Sequence, residues 1–286
     1  FASLNRGYSF YGTFRNDSVT NSELVRQARL DPDACGRVDA MRQLTDHQRI
    51  RLLTDPQVAI DPEWLDLYGT ILGDKTLPAS LKAYLLKVDE QPLDRRYCTW
   101  YQELVVARER LMGEVNRVWR GPLLEQFFQT RTYGSERANS LREGIEARML
   151  KNVLLDLIAA EDTPESHQVL RDHFRLATRA TDRVAALAAL NRSSASDRLE
   201  TLEGVYRDWH HHLSAYANYL RIIAAGTRED VFDLIERERN RSTFDITQPT
   251  WIRALFLTMA TNTKVVWSER GTAWVGQRVI ELATIN

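Results

Sequence analysis

The sequence predicts an all-α fold, and three observations favour it. Glycine (13 residues) and proline (8 residues) are both below their usual shares, which disfavours a turn-rich β architecture. Apolar residues recur at steps of three and four over most of the 286-residue chain. No alternation of strands and helices interrupts this pattern. Short helices joined by short polar loops indicate an α-solenoid of stacked antiparallel helix pairs, a superhelix of the HEAT or armadillo kind.

The apolar periodicity places each helix along the chain. Several helices begin with a proline after aspartate, threonine or glutamine, which is a favoured helix start. The stretch after residue 92 is interrupted by Gly121 and Pro122, so we expect two helices there. The predicted helices cover 22–30, 38–53, 62–72, 78–88, 93–128, 135–158, 164–176, 182–190, 196–225, 229–237, 249–260 and 272–283.

The longest apolar seam lies in the second half of the chain. It consists of eight residues whose steps alternate between three and four: Leu199, Leu202, Tyr206, Trp209, Leu213, Tyr216, Leu220 and Ile223. This a/d spacing is compatible with a coiled coil. Gly204 and three consecutive histidines favour a kinked pair of core helices instead.

Only the first stretch of the chain has a different pattern. "GYSFYGTF" places aromatic residues at Tyr8, Phe10 and Phe14, and this period of two predicts one short β-strand. A single strand is not stable alone, so we expect it to end a sheet whose other strands lie upstream. Because the chain begins with Phe1 and stops after an apolar periodic run, we expect it to be a piece of a longer protein.

Composition excludes several classes of protein. A hydrophobic content of 43% and a charged content of 27% predict a folded domain rather than a disordered chain. The net charge of -1 argues against nucleic-acid binding. Two distant cysteines form no disulfide framework. No secretory leader or membrane-spanning segment is present, so we predict a soluble, cytoplasmic chain with no membrane partner.

No complete catalytic apparatus can be found in the sequence. The motifs of zinc peptidases, serine hydrolases, dinucleotide-binding proteins and P-loop NTPases are all missing. His210, His211 and His212 diverge by about 100° per residue on a helix and cannot converge on one metal ion. The mixed charges of Ile235–Arg241 are typical of a solvated helix end. The patterns alone therefore predict a helical interaction or capping module without catalytic or metal-binding residues.

Three segments of the second half resemble a known family. They are "RATDRVAALAALN" (179–191), "LEGVYRDWHHHLSAYANYLRIIAA" (202–225) and "FDITQPTWIRALFLTMATNT" (244–263), and the head "SLNRGYSF" agrees as well. Their order and spacing are similar to the C-terminal region of the bacterial alanyl aminopeptidases, zinc metallopeptidases of the aminopeptidase N type. Departures occur in the third segment, where Trp251 replaces an arginine of the family, and in the downstream "WSERGTAW", which keeps Gly271, Trp267 and Trp274.

This resemblance implies a larger enzyme and a place for the chain within it. Residues 1–17 would be the end of a β-sandwich domain or a linker, and residues 18–286 a C-terminal helical domain truncated at its C-terminus. The zinc cofactor and the catalytic residues would belong to a separate domain, so this piece would be inactive alone. Its partners would be the catalytic domain, the β-sandwich domain and the peptide substrate. The helices would close over the active site and leave a cavity that admits peptides.

Arg253 is the one candidate site residue. It lies near the start of a predicted helix, where the helix dipole disfavours a cation. Thr247 can cap this helix, Pro249 suits its first turn, and Ile252, Leu255, Phe256 and Met259 form its buried stripe. The residues alone indicate a solvated or salt-bridged arginine. The resemblance implies an arginine that faces the substrate cavity and attracts a peptide carboxylate.

A second hypothesis makes no use of the resemblance. A freestanding α-solenoid could bind a protein partner along its concave face through aromatic and arginine anchors. The two hypotheses differ in what lies upstream: a gene that encodes a zinc-binding motif, or an initiator methionine just before Phe1.

Overall fold

The computed structural model describes residues 3–10, 18–133 and 140–285, and the side chains of all of these except 131–133. Helices account for most of the described residues and no β-strand occurs among them, which confirms the all-α prediction. The chain divides into two compact units, Phe1–Glu161 and Asp162–Asn286. None of the helices in the described ranges is both long enough and apolar enough to cross a membrane.

The described residues of unit 1 form six α-helices and two 3-10 turns. Helices joined by short connections pack against each other, as α1 does on α2 and α5 on α6. The core is centred on α3, where Trp64 and Tyr68 form an edge-to-face pair with ring centroids 4.6 Å apart. The elements are α1 (Asn21–Leu30), α2 (Ala34–Thr54), α3 (Pro62–Gly73), α4 (Ala79–Leu86), α5 (Tyr101–Tyr133) and α6 (Leu141–Ala159), with the turns Arg6–Tyr8 and Arg95–Tyr97.

The described part of the predicted head strand is a 3-10 turn. Asn5, Gly7 and Tyr8 have positive φ angles of 47°, 61° and 51°, which an extended strand does not allow. The Tyr8 hydroxyl donates a hydrogen bond to Asp39 Oδ1 at 2.9 Å and ties this turn to α2. The rest of the predicted strand, 11–14, lies outside the described residues.

A kink at Trp119 divides α5 into two helical parts, close to the predicted division at Gly121 and Pro122. Trp119 has non-helical backbone angles (φ -115°, ψ 21°). The cause is Pro122, which has no N–H to donate and whose ring clashes with the carbonyl four residues earlier. The helix also starts later than predicted, at Tyr101, because Asp94 caps the short 3-10 turn before it.

The kink places Trp119 against α3. The Trp119 indole N–H donates to the Leu65 carbonyl oxygen at 2.9 Å. Its ring lies directly on Gly69, where an added Cβ would be 2.2 Å from the ring atom Cζ2. A side chain at Gly69 would therefore push α5 away from α3.

Unit 2 is built around one buried helix. Tyr216, Tyr219, Leu220 and Ile223 of this helix, α10, are fully buried. The predicted seam divides at His210–His212 into α9 and α10, which confirms the kinked pair. The elements are α7 (Pro164–Leu176), α8 (Ala180–Arg192), α9 (Arg198–Trp209), α10 (Leu213–Ala224), α11 (Val231–Arg239), α12 (Pro249–Ile252), a π-helical turn (Arg253–Leu257), α13 (Thr258–Ala260) and α14 (Glu269–Ile285).

Candidate functional site

The helix that carries Arg253 starts with a different cap from the one predicted. Gln248 is the N-cap residue, and its side-chain oxygen accepts the Thr250 backbone N–H at 3.3 Å. Thr247 does not cap the helix, because its hydroxyl donates to Asp245 Oδ1 at 2.6 Å. Pro249 occupies the first turn as expected. Residues 245–248 form the tight turn that directs the chain into α12.

The π-helical turn Arg253–Leu257 follows directly. The Thr258 N–H reaches back to the Arg253 carbonyl oxygen, five residues earlier. Such a turn holds one residue more than an α-helical turn and occurs frequently at functional sites. Ala254, Leu255 and Phe256 are consequently all buried, whereas three consecutive residues of an α-helix would spread over about 200°.

The buried stripe of this segment agrees in part with the predicted one. Leu255, Phe256 and Met259 are buried as expected, but Ile252 is only half-buried and Ala254 joins the stripe. The extra residue of the π turn changes which side chains face the core after Ile252. Sequence spacing does not distinguish these two helix types.

Arg253 is exposed to solvent at the first position of the π turn. No hydrogen bond or ion pair of its guanidinium is formed with any residue in the described ranges. Leu257, one turn further along, is also exposed, with 56% of its surface accessible. Among the described residues Arg253 thus has an unpaired, exposed guanidinium, and the exposed apolar side chain of Leu257 follows four residues later in the same segment.

An aromatic cluster holds the inner face of the same segment. Trp251 meets Tyr216 edge to face with ring centroids 5.3 Å apart. Phe244 contacts both Trp251 and Phe256, at 6.5 Å and 5.9 Å between centroids. Trp251, which replaces an arginine of the family pattern, is therefore a packing residue.

A buried ion cluster lies beneath the connection between α11 and α12. The Glu238 side chain is fully buried, and its carboxylate accepts hydrogen bonds from the Tyr219 hydroxyl at 2.9 Å and from the guanidinium groups of Arg237 and Arg241. Arg241 also pairs with Glu203 at 2.5 Å. We call these five residues the Glu238 cluster.

Electrostatics and ring contacts both hold Arg241 in this cluster. Burial lowers its pKa, but hydrogen bonds to Glu203 and Glu238 outweigh that effect and raise the pKa above its usual value. Its guanidinium carbon lies 3.6 Å from the centroid of the Tyr206 ring, within cation–π distance. The Tyr206 hydroxyl in turn lies 2.9 Å from Thr243 Oγ1. These contacts tie the connection to α12 firmly to α9, α10 and α11.

The interpretation of Ile235–Arg241 as a solvated helix end is therefore wrong for its central residues. Val231, Leu234, Ile235 and Glu238 occupy positions i, i+3, i+4 and i+7 of α11, which is the spacing of one buried stripe. This spacing could have identified Glu238 as a buried carboxylate. Its partner Tyr219 could not be identified, because that residue comes from another helix. The same holds for Glu203, the second carboxylate that pairs with Arg241.

The three consecutive histidines have different surroundings. The His210 ring stacks on Tyr206 with centroids 4.8 Å apart and an interplanar angle of 19°, while His211 and His212 are exposed. Within the part of the chain that the structure describes, no group of three histidine, cysteine, aspartate or glutamate residues could hold a metal ion.

Two of the three residues kept in "WSERGTAW", Gly271 and Trp274, have packing roles. A Cβ at Gly271 would lie 2.4 Å from the Val266 carbonyl oxygen, so only glycine fits at this start of α14. Trp274 meets Phe256 edge to face at 5.6 Å and donates its indole N–H to Glu236 at 2.7 Å. Trp267, in contrast, is half exposed.

Comparison with known proteins adds two findings. A family model described as a domain of unknown function (DUF3458_C) with ARM repeats matches residues 21–286. The crystal structure of Legionella pneumophila aminopeptidase A in complex with aspartic acid has a similar fold, with a TM-score of 0.84 and 19% sequence identity. The match covers 99% of this chain and 34% of the Legionella chain. The present chain thus spans about a third of the length of that protein.

Both findings agree with the fold and the resemblance that the sequence analysis gives. The Legionella structure shares the fold of this chain, and the sequence resemblance to the C-terminal region of aminopeptidase N-type enzymes agrees with that match. The ARM-repeat description agrees with the predicted helix pairs. Since the family model matches nearly the whole chain after its first 20 residues, the chain belongs to the DUF3458_C family of ARM-repeat domains.

Proposed function

We propose that this chain is the non-catalytic C-terminal helical domain of a zinc-dependent aminopeptidase that removes N-terminal residues from peptides in the cytoplasm. In this role it covers the active site and shapes the cavity through which peptides enter. The observation that carries the proposal is the fold match of 99% of the chain to about a third of an aminopeptidase. The family assignment supports the helical-repeat part of the proposal.

The proposal assigns zinc to another domain. The described residues offer no group of side chains that could hold a metal ion. In zinc peptidases the ion polarises the scissile carbonyl and activates water. The partners of the present chain would be the catalytic domain, the β-sandwich domain and the bound peptide. Its own side chains would position and select the peptide without taking part in bond cleavage.

Arg253 is the residue that we propose for contact with the peptide. Its guanidinium is exposed, and the described residues supply it with no anion. A guanidinium binds a carboxylate through two parallel hydrogen bonds. Leu257 lies beside it and could contact an apolar side chain of the same peptide. The π turn and the edge-to-face packing of Trp251 on Tyr216 hold the backbone at this position.

The assignment of the catalytic machinery can be tested with aminoacyl-anilide substrates. We expect the isolated chain to hydrolyse none of them, with or without added zinc, because its described residues provide neither a metal site nor a general base paired with one. We expect the longer protein to hydrolyse them and to lose this activity on chelation. Zinc-dependent hydrolysis by the isolated chain would overturn the proposal.

The role of Arg253 can be tested in the longer protein with Arg253→Gln. We expect the KM for peptides with a free C-terminal carboxylate to rise about three- to fivefold, because an exposed ion pair contributes up to about 1 kcal/mol. Amidated versions of the same peptides should show an unchanged KM. Steady-state kinetics with both series makes the comparison.

Arg228→Gln is the matched control for this experiment. Arg228 is another exposed arginine of unit 2, in the connection before α11, and its replacement should change the KM of neither series. Equal effects of Arg253→Gln on free and amidated peptides would contradict the carboxylate contact.

A further inference from the structure

Unit 1 contains a cavity that the proposed function does not use. Its volume is about 700 Å³, within the range of about 300–1,000 Å³ that is usual for small-molecule sites. Four helices line it: the end of α3, α4, the half of α5 after the kink, and α6. The contact of Trp119 with Gly69 sets the spacing of α3 and α5 on one side of this cavity.

A buried lysine lies in the wall of this cavity. Only 4% of the Lys82 surface is accessible. Its ammonium donates to the Leu72 carbonyl oxygen at 3.0 Å and to Gln126 Oε1 at 3.4 Å. An ammonium has three N–H donors, so these two neutral acceptors leave one donor for a further partner.

The charge of Lys82 is incompletely compensated. None of the carboxylates in the described ranges forms an ion pair with it, and Asp74 acts on it only at longer range. Burial lowers the pKa of Lys82, in opposition to Asp74. Buried charges are normally paired, because an unpaired one is costly. An anionic group in the cavity would complete the coordination of this ammonium.

The other residues of the lining limit which anion could bind. Leu72, Leu77, Trp119 and Leu150 provide apolar walls. The exposed ammonium of Lys75 also lies on the cavity, but three more accessible carboxylates outnumber the two lysines: Glu125, Glu143 and Glu146, the last of which is paired with Arg142. They disfavour a ligand with several negative charges, such as a phosphate ester, and favour one that also carries an ammonium group.

We propose that this cavity binds a small zwitterion with an apolar side chain, whose carboxylate meets Lys82 and whose ammonium faces the acidic residues. A free apolar amino acid and an apolar dipeptide share this chemistry. The inference does not rest on the proposed function, because it concerns binding to unit 1 and requires no peptide hydrolysis.

The alternative is a purely structural role, in which Lys82 only donates hydrogen bonds to the carbonyl groups at the end of α3, where a cation is favoured. Ligand analogues distinguish the two possibilities without any mutation. Isothermal titration calorimetry on the full chain would use leucine, leucine amide, which lacks the carboxylate, and 4-methylpentanoate, which lacks the ammonium. Leucyl-leucine and its amide would test whether a dipeptide, rather than a free amino acid, is the ligand.

We expect leucine or leucyl-leucine to bind at least about tenfold more tightly than its amide, the ratio that corresponds to one hydrogen bond to a charged group. Loss of the ammonium should weaken binding as well. Lys82→Met should remove the preference for the carboxylate, whereas Lys75→Gln, at an exposed position of the lining, should retain it. Equal affinity for acid and amide, or no binding of any zwitterion, would overturn the proposal, whatever the stability of the Lys82 variant.

Discussion

Replacement of Glu238 by glutamine is expected to lower the free energy of unfolding by about 3 kcal/mol, the loss typical of removing one partner from a buried ion pair. The amide keeps the shape of the side chain but not its charge. Arg237 and Arg241 would then face a neutral group inside unit 2. Urea denaturation followed by circular dichroism measures the change as a shift of the unfolding midpoint.

Glu203→Gln is the matched control for Glu238→Gln. Both carboxylates pair with the same guanidinium of Arg241, but Glu203 has 39% of its side chain exposed. An exposed pair contributes at most about 1 kcal/mol, so this variant should shift the midpoint much less. If the two variants lose equal stability, burial of Glu238 is not the origin of the effect.

The Gly69→Ala substitution is expected to have the second largest effect. An added methyl group would lie 2.2 Å from the Trp119 ring, so the ring or the helix behind it must move. Overpacking of this kind costs about 1–3 kcal/mol, and we expect a loss near 2 kcal/mol. The hydrogen bond from the Trp119 indole to the Leu65 carbonyl oxygen fixes the ring and limits how far it can move away from the added methyl group. Urea denaturation is again the measurement.

Gly73→Ala provides the comparison on the same helix. Gly73 lies one turn after Gly69, and a Cβ there would meet no atom within 4 Å. Alanine is favoured over glycine in a helix by about 0.5–1 kcal/mol, so this variant should be as stable as the wild type or slightly more stable. A loss of stability in Gly73→Ala as large as that in Gly69→Ala would show that the Trp119 contact is not responsible.

The sequence predicts the helices of this chain well because each helix carries its own periodic pattern. The division of the long seam at His210–His212 also followed from local residues. Features that join distant segments were not predictable. The contact of Trp119 with Gly69 spans 50 positions, and the pairing of Arg241 with Glu203 spans 38.

The surroundings of Arg253 also combine features that the sequence predicts with features that it does not. Its place near a helix start after Pro249 was evident from the sequence. The cap at Gln248 and the π turn were not, because glutamine is an uncommon cap and an inserted residue leaves no gap in an apolar pattern. The run Ala254–Leu255–Phe256 is the one local sign of the wider turn. Whether Arg253 contacts peptide stays a prediction.

The π turn also bears on how relatives of this chain should be aligned. Removing one residue between Arg253 and Met259 would restore an ordinary helix and rotate every preceding side chain by about 100° about the axis. An arginine at the same distance from the helix-starting proline in a homologue would then project in another direction. Equivalence of such arginines must consequently be judged from superposed backbones, since an alignment of sequences alone can pair side chains that point in different directions.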